Sequence, residues 1–136
     1  MILADRHREE TETILLVDDE EIVLKICGKM LERLGYRVLK AGSGMEAINI
    51  YKDKMEAIDM VILDMIMPNM DGGKTYEKMK TINPKVKVLL ASGYSVESQA
   101  NEILKRGCDG FIQKPFKLKG LSEKLIEILN QTTKSY

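Results

Sequence analysis

Two adjacent aspartates, Asp18 and Asp19, end the apolar run Ile14-Leu15-Leu16-Val17. A third, Asp64, ends a second run, Met60-Val61-Ile62-Leu63, and Lys114-Pro115 ends a third, Phe111-Ile112-Gln113. Short runs of this kind read as buried parallel strands. In an open parallel sheet, ligands gather at the carboxyl ends of the strands. The spacing therefore brings three carboxylates and one ammonium to a single edge. Crowded carboxylates repel one another unless a cation or protons neutralise them. Such a group suits a divalent metal, with one carboxylate left available for chemistry.

The elements that must position these residues alternate along the chain. Strands are predicted over 13–18, 36–41, 59–64, 86–91 and 109–113. Helices are predicted over 20–34, 44–54, 72–81, 96–106 and 118–131. The first helix carries Ile22, Val23, Ile26, Cys27, Met30, Leu31 and Leu34 at helical spacing, and Gly35 stops it. Arg37 and Lys40 make the second strand polar, as suits a sheet edge. Ser43 can cap the next helix, where Met45, Ala47, Ile48 and Tyr51 are available for packing. Met67-Pro68-Asn69-Met70-Asp71-Gly72 reads as a loop, since Pro, Asn and Gly favour turns. Leu118, Leu121, Leu125, Ile128 and Leu129 form one stripe on the last helix. Five strand–helix units of this length predict an α/β fold with a compact parallel sheet.

The 136 residues fit one domain, and 44% of them are hydrophobic, enough for a core. We expect a domain over 12–133, with 1–11 as an extension or linker and 134–136 as a short polar end. Lys+Arg and Asp+Glu are both 21, a balance that argues against direct nucleic-acid binding. No apolar run is long enough to span a bilayer, and the charged N-terminus lacks a signal-peptide core, so a cytoplasmic protein is expected. Cys27 and Cys108 read as reduced, buried thiols. His7 is the sole histidine and lies in the polar N-terminal segment, which excludes His-based triads and His-rich metal sites.

In order and on the right strand ends, Asp18-Asp19, Asp64, Met67-Pro68-x-Met70-Asp71-Gly72, Ser92 and Lys114-Pro115 resemble the receiver domain of two-component response regulators. The resemblance covers about residues 12–130. It implies a doubly wound, flavodoxin-like (βα)5 sandwich with strand order 2-1-3-4-5. It implies that Asp64 accepts a phosphoryl group from a phosphohistidine on a histidine kinase or a histidine phosphotransfer domain. Asp19, Asp64 and the backbone carbonyl of Ile66 would bind Mg2+, with Asp18 holding a metal-bound water. Lys114 would pair with Asp64 and then with the phosphoryl oxygen. Ser92 would donate its hydroxyl to that oxygen, and Phe111 would turn inward as Ser92 moves. The Lys114–Pro115 bond would be cis. The chain would thus be a phosphoacceptor signalling domain rather than a turnover enzyme. It would speak to an unknown output protein through the helix over 96–106, the strand over 109–113 and the last helix.

The simple chemistry agrees with these roles, because in-line phosphoryl transfer needs mainly positioning and charge neutralisation. Asp18-Asp19 also suit a helix start, Ser92-Gly93 a turn, and Phe111 a core position. Ile66 and Tyr94 stand where chemotaxis-type members carry polar residues, and the Ser92-Gly93-Tyr94 and Phe111–Phe116 runs look more like receivers attached to sensor kinases. A haloacid-dehalogenase-type phosphatase would need an acid at the Ile66 position. A nucleotide or flavin module would need a Gly-rich loop after the first strand, which is missing. A pseudo-receiver that acts only as an interaction domain is the remaining alternative.

Overall fold

The computed structural model describes residues 11–93 and 108–131. The expected helix over 96–106, Tyr94, His7 and both chain ends lie outside the described residues. The strands are β1 (Thr13–Val17), β2 (Arg37–Ala41), β3 (Met60–Asp64), β4 (Val88–Ser92) and β5 (Gly110–Gln113). All pair in parallel, in the order β2-β1-β3-β4-β5, as the resemblance implied. The described helices are α1 (Glu21–Arg33), α2 (Gly44–Lys54), α3 (Gly72–Ile82) and α4 (Leu118–Leu129).

Strand side chains alternate between two faces. Leu15, Val17, Val61, Leu63, Val88 and Leu90 pack with Ala47, Ile48 and Tyr51 of α2 and with Tyr76 and Met79 of α3. Ile14, Leu16, Met60, Ile62, Leu89 and Ala91 pack with Cys27 and Leu31 of α1 and with Leu121, Leu125 and Ile128 of α4. The central strands are therefore apolar at successive positions because both faces are covered. Each fully buried aliphatic side chain contributes roughly 1.5–3 kcal/mol relative to exposure. At the edge, β2 leaves Arg37 and Lys40 in solvent.

Local chemistry sets where the helices begin and end. Ser43 Oγ accepts from the Glu46 N–H at 3.1 Å, while Glu46 Oε1 accepts from the Gly42 N–H at 2.7 Å. These two bonds open α2, with Glu46 reaching back one residue beyond the cap. Asp71 Oδ1 accepts from the Lys74 N–H at 2.9 Å and opens α3. Gly35 takes φ +100° and lets the Tyr36 N–H reach Leu31 O at 3.1 Å, which closes α1.

Three packing expectations change. Ile22 and Ile26 lie off the core stripe of α1, 59% and 53% exposed, and Met45 is 55% exposed at the start of α2. The fourth strand starts at Val88, because the Val86 N–H closes a turn onto Asn83 O at 3.0 Å. It then runs on to Ser92.

Candidate functional site

Register explains why the charged residues meet. Val17 of β1 lies level with Leu63 of β3, and Asp64 lies level with Ala91 of β4. Asp18 continues the even-numbered series Ile14, Leu16; Asp64 continues Met60, Ile62; Lys114 continues Ile112. All three thus follow the series that faces α1 and α4. The ladder continues one residue past β1 and β5: the Asp18 N–H donates to Ala41 O at 3.1 Å, and the Lys114 N–H to Ser92 O at 2.7 Å.

The side chains converge. Lys114 Nζ lies 2.6 Å from Asp18 Oδ2 and 3.3 Å from Asp64 Oδ1. One carboxylate oxygen from each of Asp18, Asp19 and Asp64 lies within 4.8 Å of the others. Asp18 and Asp64 are buried, whereas Asp19 is open to solvent. The second oxygen of Asp18 accepts from the Glu20 N–H at 2.9 Å, so this residue also orders the entry to α1. Lys114 was expected to pair with Asp64, and it makes its shorter contact with Asp18. The Lys114–Pro115 bond is cis.

Burial pushes the Asp64 carboxyl up to about 6, and neighbouring Asp18 adds to the rise. Lys114 and the nearby Ile66 backbone N–H partly offset it. Asp64 is therefore mostly ionised at neutral pH but held at some cost. Burial disfavours the charged Lys114, yet the bond to Asp18 and the charges of Asp64 and Asp18 carry its pKa above the usual lysine value. Burial raises both thiols, Cys27 and Cys108, to about 11, and both are free. Neither is poised as a nucleophile.

The loop after β3 folds back on the site. The Met65 N–H donates to Ala91 O at 2.9 Å, and the Gly72 N–H to Met65 O at 2.9 Å. Asn69 takes φ 70°, which Asn tolerates better than most residues. Met65 and Met67 turn into the core, leaving Ile66 56% exposed beside Asp64. Ser92 is buried at the end of β4 and follows the Val88, Leu90 series, on the face opposite to Asp64. Phe111 is half-buried against that same α2–α3 core, level with Leu90.

Two features were not read from the sequence. Ile22 and Ile26 join Pro115, Phe116 and Lys114 along a groove of about 430 Å³ beside the site. Their spacing of four, one stripe away from Cys27 and Leu31, was the available signal. At the opposite sheet edge, Asp59 Oδ2 accepts from the Thr13 N–H and Asp109 Oδ2 from the Val88 N–H, each at 2.8 Å. Each of these aspartates directly precedes a strand, and only tertiary pairing reveals its partner.

Hard oxygen donors in a compact trio, without sulfur or imidazole, fit a cation such as Mg2+. Among the described residues no helix is long and apolar enough to cross a membrane.

Known proteins resemble the chain along most of its length. It is 34% identical over 119 residues to the sensor kinase CckA of Brucella abortus (strain 2308), covering 88% of this chain but 13% of that protein. The chain thus spans a small part of this curated relative. A response regulator receiver domain protein from Clostridium thermocellum superposes with a TM-score of 0.86 at 30% identity, covering 92% of this chain and 99% of that one. A CheX–CheY complex with BeF3 and Mg2+ from Borrelia burgdorferi matches with a TM-score of 0.81 at 26% identity, covering 86% of this chain and 88% of the matched one. A model of the response regulator receiver domain matches residues 14–126, and the chain belongs to that family.

Proposed function

We propose that the chain accepts a phosphoryl group on Asp64 from a phosphohistidine of a histidine kinase or phosphotransfer domain. The observation that carries this reading is a buried Asp64 carboxylate set against both Asp18 and the Lys114 ammonium. An Asp64 oxygen forms the bond to phosphorus as the phosphorus–nitrogen bond of the donor breaks. The electron pair stays on the imidazole nitrogen, which takes a proton from water. Lys114, 3.3 Å from Asp64, is placed to meet a non-bridging phosphoryl oxygen. Asp19, Asp64 and the Ile66 carbonyl would hold Mg2+, with Asp18 acting through a water. The ion would add positive charge beside the incoming phosphoryl oxygens. The Borrelia relative in complex with BeF3 and Mg2+ supports that part.

The exposed Ile22 and Ile26 give the donor an apolar surface beside the acceptor. After transfer, Ser92 would bond the phosphoryl oxygen and Phe111 would move inward. The face that carries β5 and α4 would then change for an output partner. The domain would run over 12–133, in the cytoplasm.

The test is incubation with acetyl phosphate, with Mg2+ or with EDTA, followed by intact mass. One hydroxylamine-labile phosphoryl group should appear with Mg2+ and none with EDTA. No gain under either condition would leave the pseudo-receiver reading standing.

A further inference from the structure

Gly72 stands where the loop after Asp64 closes. A Cβ on this residue would lie 2.6 Å from Asp64 O, 2.7 Å from Met65 Cα and 3.2 Å from Asp64 C. All three are backbone atoms, so no side-chain rotation relieves the overlap. Gly72 does not take a positive φ; glycine is required here for space. The same residue donates its N–H to Met65 O at 2.9 Å. Its missing side chain therefore sets the Asp64–Met65 peptide, and its hydrogen bond holds the next one, Met65–Ile66. The second of these leads directly into Ile66.

We infer that Gly72 is a positioning residue for phosphoryl acceptance, setting the Asp64–Ile66 backbone by direct contact from the first turn of α3. This rests on the reading of Asp64 as the acceptor. Gly72 touches no reacting atom. It acts through the peptide that carries the acceptor and through Ile66, which supplies one proposed cation-binding carbonyl. Displacing catalytic geometry by about 1 Å can cost on the order of a hundredfold in rate. A methyl group 2.6 Å from a backbone oxygen forces a shift toward that scale. The motif position is thus explained by the approach of two backbones rather than by turn chemistry.

The experiment compares Gly72→Ala with Met79→Ala, which opens a cavity further along α3 without touching the Asp64 backbone. Three readouts are taken: amide NMR shifts at 64–66, Mg2+ affinity by NMR titration, and phosphorylation rate against acetyl phosphate concentration. Gly72→Ala should move the 64–66 amides, weaken Mg2+ binding several-fold and lower the maximal rate by roughly tenfold to a hundredfold. The half-saturating donor concentration should hold. Met79→Ala should lose stability with the site readouts unchanged. Should Gly72→Ala not fold, Asp71→Ala loosens the same closure by removing the helix cap, and Asp71→Asn keeps the cap without the charge. The alanine should then weaken Mg2+ binding more than the asparagine. A parent that binds Mg2+ but takes no phosphoryl group would defeat the acceptor reading and leave the Mg2+ comparison to judge Gly72. Parent-like Mg2+ affinity and rate in Gly72→Ala would overturn the inference.

Discussion

The two edges of the sheet use aspartate in opposite ways. At the edge where strands begin, Asp59 and Asp109 each clasp the first residue of a neighbouring strand. Asp59 exchanges backbone and carboxylate bonds with Thr13, and Asp109 does the same with Val88. At the edge where strands end, Asp18 and Asp64 face each other and share one lysine. Burial raises the pKa of both Asp109 and Asp64, but the partners differ. A backbone N–H and two lysines ease Asp109, while Asp18 worsens the position of Asp64. A carboxylate matched to the backbone stabilises the sheet. A carboxylate crowded against another costs stability.

The contrast can be broken first at Asp19, the exposed member of the trio. Asp19→Ala should abolish measurable Mg2+ binding and phosphorylation by acetyl phosphate while leaving the melting temperature within a few degrees. NMR titration and intact mass check this; unchanged Mg2+ affinity would make Asp19 a helix-start residue only.

A pH series in EDTA sharpens it next. Asp64 ionises near 6 in the folded chain, against 3.8 for the unperturbed group. Between those values the folded state binds more protons than the unfolded state, so this group lowers stability as pH rises from about 4 to 6. The full penalty should be present above 6. Asp64→Asn should remove this component from urea-unfolding curves taken at pH 4 to 7. A variant with the parent's pH dependence would place the strain elsewhere.

Asp109→Ala should do the reverse. Losing the clasp leaves the Val88 N–H without its carboxylate and costs about 1–3 kcal/mol, with phosphorylation unchanged. A large fall in phosphorylation at unchanged stability would erase the distinction between the edges. The smallest effect is expected at Ile66. Its exposed side chain beside Asp64 has no hydrogen-bonding group to orient an attacking water. Ile66→Asn should shorten the acyl phosphate lifetime a few-fold, measured by decay of the labelled form after the donor is removed.

The difference between the edges also shows what the sequence makes legible. The central strands were readable because burial on both faces keeps them apolar at every step, and their ends pointed to Asp18, Asp64 and Lys114. Gly35, Ser43 and Asp71-Gly72 marked helix limits through local chemistry. The preference of Lys114 for Asp18 was not legible, since it depends on the register between strands far apart in sequence. The clasps of Asp59 and Asp109 were hidden for the same reason. Ile22 and Ile26 read as core because helical periodicity records an apolar stripe without fixing its width; α1 buries Cys27 and Leu31 and leaves those two outside. The demand for glycine at 72 arises from a backbone eight residues earlier, which no local propensity records.

The central claim is that Asp64, among all these carboxylates, carries the phosphoryl group. Reduction of the phosphorylated chain with borohydride converts an acyl phosphate of aspartate to homoserine, and tandem mass spectrometry locates it. The account predicts homoserine at position 64 alone, and no reduction product in Asp64→Asn. Homoserine at 18, 19 or 109, or undiminished phosphorylation of Asp64→Asn, would contradict it.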